Sequence, residues 1–271
     1  MRVPQREPAL RRLVLSCLLL AMCFVVVTST GCSKPSGVVP LVVALFDVSS
    51  PELPAATRQQ YLDDFKRNVI QRLEHGEARS GETVLAESTG QASFGYADWP
   101  VRVTFPVFDR ASATLDAYNK TSQALADTLT AQAEQLVLNT PSGPATDLMD
   151  AIKAAERAFT GEDGLTAPSK TLIIFSDMVV QSNRHDFSTD ALSSAGIKSL
   201  IADEKSGDRL PKLAGVRVWI SGTGPAHGGL STGKAKQVRA FWLEYFKACG
   251  ANLPEKCYAE RLAKFSLIAG K

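Results

Sequence analysis

Two stretches of the chain are apolar almost without interruption, Val38-Val39-Pro40-Leu41-Val42-Val43-Ala44-Leu45-Phe46 and Thr171-Leu172-Ile173-Ile174-Phe175. Strands buried on both faces read this way, because neither set of alternating side chains meets water. Val101, Val103 and Phe105 alternate instead with Arg102 and Thr104, which predicts a half-buried strand over Val101–Val107 on an edge or in a hairpin. Further strands are predicted over Thr83–Glu87 and Val216–Ile220. Between these runs the apolar positions recur at helical spacing. Tyr61, Phe65, Val69 and Leu73 fall four apart and are flanked by Leu62 and Ile70, with Thr57 as the expected N-cap and Gly76 as the stop. The segment Ser112–Leu138 is helical by propensity, though its apolar stripe is thin. Helices are also predicted around Leu148, Met149, Ile152 and Phe159, over about 189–204, and over a last long segment that carries Val238, Phe241, Trp242 and Tyr245 on one face. Strands alternating with helices predict an α/β fold, a single domain with a doubly wound, mostly parallel sheet flanked by helices. Such sheets bind ligands outside the carboxyl ends of their strands.

The first thirty-odd residues follow a different pattern. Arg2, Arg6, Arg11 and Arg12 precede an apolar stretch, Leu13–Val27, that is short for a membrane span, and Ser29-Thr30-Gly31 leads to Cys32. This reads as a lipoprotein signal over residues 1–31, which implies acylation of Cys32 and a tether over 32–37 before the domain at 38–271. The expected location is the cell envelope, lipid-anchored at the outer membrane and facing the periplasm, with no contact to the bilayer beyond the anchor. Without residues 1–31 the chain keeps 26 basic and 27 acidic residues. That near-neutral balance lacks the basic stripe of a nucleic-acid binder. Cys249 and Cys257 are then the remaining thiols, and in an oxidising compartment they are expected to form a disulfide.

Candidate chemistry collects behind the apolar runs. Asp47-Val48-Ser49-Ser50-Pro51 follows the first, Ser176-Asp177 follows the fourth predicted strand, and Thr146-Asp147 opens a helix after the loop Asn139–Pro144. A parallel sheet would bring these carboxylates and hydroxyls to one edge, and an all-oxygen set suits a hard divalent cation. In order, spacing and strand context the segments resemble the von Willebrand factor A domain and its metal-ion-dependent adhesion site. The family pattern is Asp-x-Ser-x-Ser after the first strand, a threonine in a later loop and an Asp, often in Asp-Gly, after the fourth strand. The resemblance covers roughly residues 38–250, and implies metal ligation by Asp47, Ser49, Thr146 and Asp177. It implies Mg²⁺ or Mn²⁺ as the cation. The chain departs from the pattern at Pro51, which replaces the second serine, and at Met178, which replaces the glycine. The loss of a hydroxyl at Pro51 implies weak metal affinity.

Other constellations fall short. Gly228–Ala235 approaches a phosphate-binding loop, but Ala235 lacks the hydroxyl that Mg²⁺ requires and the stretch does not follow directly on its strand. Asp47-Val48-Ser49 also resembles the nucleophile strand of haloacid-dehalogenase-type phosphatases, yet Ser49 stands where their acid–base Asp belongs and cannot move a proton near neutral pH. Of the histidines only His185 falls in a loop near the ligand edge, where it reads as a solvated residue; Arg184, His185 and Asp186 are candidates for a partner-selective rim. The expectation is a non-enzymatic module that binds another envelope protein through an acidic side chain of that partner. Its alternatives are a metal-free assembly scaffold of the same fold and a lipid-anchored solute receptor.

Overall fold

A computed structural model describes residues 39–49, 53–74, 80–89, 99–142, 147–224 and 229–262. The first strand, β1 (Leu41–Asp47), is buried along its whole length. It leads into α1 (Ala55–Phe65), which continues through a π-helical turn, Lys66–Ile70, into α2 (Gln71–Glu74). Strands β2 (Ser80–Thr89) and β3 (Val101–Val107) follow, then the long α3 (Leu115–Leu138). After α4 (Leu148–Thr160) and the short α5 (Glu162–Thr166) the chain returns to the sheet as β4 (Lys170–Phe175). Helix α6 (Ser194–Ser206), β5 (Val216–Ser221), α7 (Thr232–Ala248), a 3₁₀ turn (Glu255–Cys257) and the two-residue β6 (Tyr258–Ala259) complete it.

The six strands are ordered β3-β2-β1-β4-β5-β6, and β3 alone runs antiparallel to its neighbour. This is the predicted α/β class, a mostly parallel sheet with helices on both faces. From β1 the chain builds outward to β2 and β3, then crosses back to β4 and builds outward the other way. The reversal makes β1 and β4 the topological switch point, where a crevice opens outside the carboxyl ends.

Two separate cores explain why β1 and β4 are apolar throughout. Val42, Ala44, Phe46, Ile173 and Phe175 face Tyr61, Phe65, Leu129 and Val137 on α1 and α3. Leu41, Val43, Leu45, Leu172 and Ile174 face the opposite layer, with Ile152, Phe241, Trp242 and Tyr245 from α4 and α7. Phe46 stacks on Phe175 with ring centroids 4.7 Å apart, which locks the two site-bearing strands together. Strand β3 shows the expected alternation, Val101, Val103 and Phe105 buried and Arg102 and Thr104 exposed.

Several local expectations are corrected. Thr57 does not cap α1; the helix starts two residues earlier, behind Pro54, and Thr57 is buried in its first turn. The helix placed at about 189–204 begins at Ser194, because Ser193 accepts from the Gly196 N–H, while Asp186 takes Ser188 into a turn of its own. The Cys249–Cys257 disulfide is not formed. Both thiols are free and buried in different surroundings: Cys249 ends α7 within the core and lies near Lys153 and Glu156 of α4, whereas Cys257 lies near Lys256 and Arg217. Burial pushes the Cys249 thiol up to about 12, so it is held as a core thiol. The signal segment, Cys32, the tether and Gly76 lie outside the described residues, as do His75 and His227. No helix among the described residues is long and apolar enough to cross a membrane.

Candidate functional site

At the switch point the last residue of β1 is Asp47, 7% exposed and surrounded by hydroxyls. Its Oδ1 accepts from the Ser49 hydroxyl at 2.6 Å, the Ser49 N–H at 3.3 Å and the Thr89 hydroxyl at 3.2 Å. Its Oδ2 accepts from the Ser176 hydroxyl at 2.7 Å. Parallel register accounts for the gathering: Asp47 pairs with Thr89 on β2, and Phe46 with Phe175, the residue before Ser176, on β4. Three neighbouring strand ends thus deliver one carboxylate and three hydroxyls to one point.

Asp177 joins from the loop after β4, partly exposed, with Oδ1 accepting from the Val179 N–H at 2.9 Å. Burial, and then the charge of Asp47, push its carboxyl up to about 7. Tyr61 approaches from α1, and burial followed by the charges of Asp47 and Asp177 raises its phenol well above the usual range. The ring is therefore neutral at physiological pH. Tyr258 on β6 is raised in the same direction, by burial and then by Asp177. Gly222, after β5, has φ +111°, and a Cβ there would meet the Ser176 carbonyl oxygen at 2.8 Å and the Tyr61 hydroxyl at 2.9 Å. Only glycine lets the end of β5 approach the site so closely.

Met178 carries the backbone consequence of the sequence departure. Its φ is +66°, the left-handed region that a glycine would occupy without strain. Three contacts over-determine it: its N–H donates to Ser176 Oγ at 2.8 Å, its carbonyl accepts from Trp242 Nε1 at 2.8 Å, and its side chain is fully buried in the core. Loss of that side chain should outweigh strain relief, since truncating a buried methionine costs about 2–5 kcal/mol against about 1 kcal/mol for the strained φ. Met178→Gly is thus expected to be less stable than wild type in urea unfolding, yet at least as stable as Met178→Ala. Ordinarily the glycine variant would be the worse of the two by up to about 1 kcal/mol.

The loops beside the site are tied by Arg58 of α1, itself 9% exposed. It donates to the Val48 carbonyl at 3.1 Å, to the Val137 and Thr140 carbonyls at 3.1 and 2.7 Å, and to the Ser142 hydroxyl at 2.7 Å. One guanidinium so holds the loop after β1 against the segment leading toward Thr146. Thr146 and Pro51 lie outside the described residues. The neighbour of Thr146, Asp147, caps α4 by accepting from the Asp150 N–H at 3.2 Å.

Arg184 reaches Asp147, 3.6 Å away, and pairs with Asp150, so it closes over the start of α4. His185 is not the solvated residue expected from sequence. Its side chain is 11% exposed, with Nε2 3.2 Å from Oε1 of the buried Glu204, which Arg209 also engages at 2.9 Å. Nothing in the sequence sets Glu204 apart from its acidic neighbour Asp203. Asp186 instead serves its own turn.

Of the four ligands implied by resemblance, Asp47, Ser49 and Asp177 are brought to one edge. Ser176, Thr89 and Tyr61 join them. Strand-end position marked Ser176; Thr89 lay two residues past the predicted end of β2, and Tyr61 read as a core residue of its helix stripe. Among the described residues no group of three or more His, Cys, Asp or Glu converges. Two carboxylates amid neutral hydroxyls do fit a hard divalent cation, which would offset both the burial and the Asp47 charge that raise Asp177. No protein-family model matches the chain, and no curated protein matches it.

Proposed function

We propose that the protein is an envelope-anchored binding module of the von Willebrand A type, which engages another protein through a metal-dependent contact at the carboxyl edge of its sheet. The observation that carries this reading is the convergence of Asp47 and Asp177 at the switch point among Ser49, Ser176 and Thr89. Asp47, Ser49 and Thr146 would hold Mg²⁺ or Mn²⁺, with Asp177 beside them as the second carboxylate. Bound there, the cation would supply the positive charge that attracts a carboxylate of the partner. Thr89 and Ser176 fix the Asp47 carboxylate in the required orientation, as supporting hydrogen bonds do at metal sites. No bond is broken, and acylation of Cys32 keeps the module at the membrane.

Titration calorimetry with Mg²⁺ and Mn²⁺ tests this on wild type, Asp47→Ala and Pro51→Ser. Binding should be weak in wild type, absent in Asp47→Ala and stronger in Pro51→Ser, which restores the family's hydroxyl. Identical heats from wild type and Asp47→Ala would remove the metal from the account. One observation favours a second reading. Both oxygens of Asp47 already accept hydroxyl hydrogen bonds, so the edge is self-consistent as a metal-free assembly surface. A pull-down of the anchored protein that retains its partner in chelator would select that alternative.

A further inference from the structure

Helices α6 and α7 lie on one face of the sheet, each running back from the carboxyl edge, and leave between them a groove of about 1120 Å³. It lies on the flank of the domain, along residues that the metal edge does not use. Its floor is apolar, made by Ile197 and Ile201 from α6 and by Ala240 and Leu243 from α7. Its ends are basic. Lys198 and Lys205 flank Ile201 on one wall, Lys236 and Lys247 flank Ala240 and Leu243 on the other, and all four lysines are exposed. Glu244 is the one acidic residue along it.

The spacing is that of a built surface. Lys236, Ala240, Leu243 and Lys247 fall at i, i+4, i+7 and i+11, a single stripe of α7, and Lys198, Ile201 and Lys205 form a shorter stripe of α6. At 1.5 Å per residue the lysines of the α7 stripe are about 16 Å apart along the axis, the length of three helical turns. The groove also exceeds the roughly 300–1,000 Å³ of small-molecule pockets, which favours a macromolecular segment as its occupant.

We propose that the α6–α7 groove docks an acidic amphipathic helix of a partner protein. An apolar stripe at i, i+3, i+4 and i+7 would lie on Ile201, Ala240 and Leu243, and acidic residues on its two flanks would meet the four lysines. Charge complementarity selects the sign of the partner and concavity selects its shape. Ile197 is 5% exposed, recessed between helices where a flat bilayer surface does not reach but a convex helix does. The module thereby has two contact surfaces, the metal edge and this flank, and the flank needs no cation.

The test uses the full-length protein and a fluorescent synthetic peptide of about four turns, with Leu at i, i+3, i+4 and i+7 and Glu on both flanks. A matched peptide carries Lys in place of Glu. Anisotropy titrations should give saturable micromolar binding of the Glu peptide, unchanged by chelator and weakened by salt. The variant with Lys198, Lys205, Lys236 and Lys247 all changed to Glu should lose at least about tenfold and bind the Lys peptide instead. Ala240→Trp, which fills the floor at an exposed position without altering charge, should weaken the Glu peptide as well. Equal binding of both peptides to wild type would overturn the proposal, as would binding that survives the fourfold charge reversal or no saturable binding up to about 1 mM. So would preferential capture of phosphatidylglycerol vesicles over the peptide, which reassigns the face to a membrane.

Discussion

Asp177→Asn should stabilise the metal-free domain at pH 8 by about 2 kcal/mol while abolishing its response to Mg²⁺. An Asp held near pH 7 in the folded state, against its ordinary 3.8, keeps a proton on folding that the unfolded chain has already released. Stability therefore falls as pH rises from about 4, and the full cost stands above about 7. A shift of that size corresponds to about 4 kcal/mol, which we halve because Asp177 is partly exposed and its surroundings can relax. Urea unfolding at pH 5 and pH 8 checks it. Wild type should lose stability between the two more steeply than the Asn variant, and Mg²⁺ should restore wild type at pH 8. A wild type and variant with the same pH dependence would mean that neither burial nor the charge of Asp47 raises the Asp177 carboxyl.

Arg58→Met is expected to cost roughly 3–4 kcal/mol. Methionine keeps most of the aliphatic stem but leaves the Val48 and Val137 carbonyls, both buried partners of the guanidinium, without their charged donor. Hydrogen bonds to charged groups contribute about 1.5–3 kcal/mol each, and the bonds to Thr140 and Ser142 are lost with them. A second readout distinguishes this from a general loss of stability. Since Arg58 links the loop after β1 to the segment before Thr146, amide exchange at residues 48, 49, 139, 140 and 142 should accelerate more than exchange in β4. Uniform acceleration across the sheet would show that Arg58 only stabilises the whole.

The sheet was legible because β1 and β4 are apolar on both faces, and only a central parallel strand under two helical layers requires that. The site was legible in part for the same reason: Asp47 and Asp177 are the first acids after those runs. What stayed hidden depends on partners distant in sequence. Thr89 reaches Asp47 only through the β1–β2 register, Tyr61 is a helix-face aromatic whose hydroxyl end faces the edge, and Arg58 is one of three charged residues on α1, with carbonyl partners that lie up to 82 residues away. His185 failed as a solvated residue because Glu204, nineteen positions later, is buried with it. The two cysteines are close in sequence, yet Cys249 belongs to a helix end in the core and Cys257 to a separate turn; proximity along the chain says nothing of facing.

The hydrogen bond from Ser176 to Asp47 spans 129 residues. A contact of that separation closes late, because the entropy of the enclosed loop is lost before the contact returns anything. Until β4 docks on β1, Asp47 has no Asp177 to repel it, so the electrostatic penalty of the edge falls on the docking step itself. Above pH 7 the protein should refold more slowly without divalent cation than with it, while unfolding changes less. The order in which the chain is assembled would then be visible as a metal-sensitive folding rate.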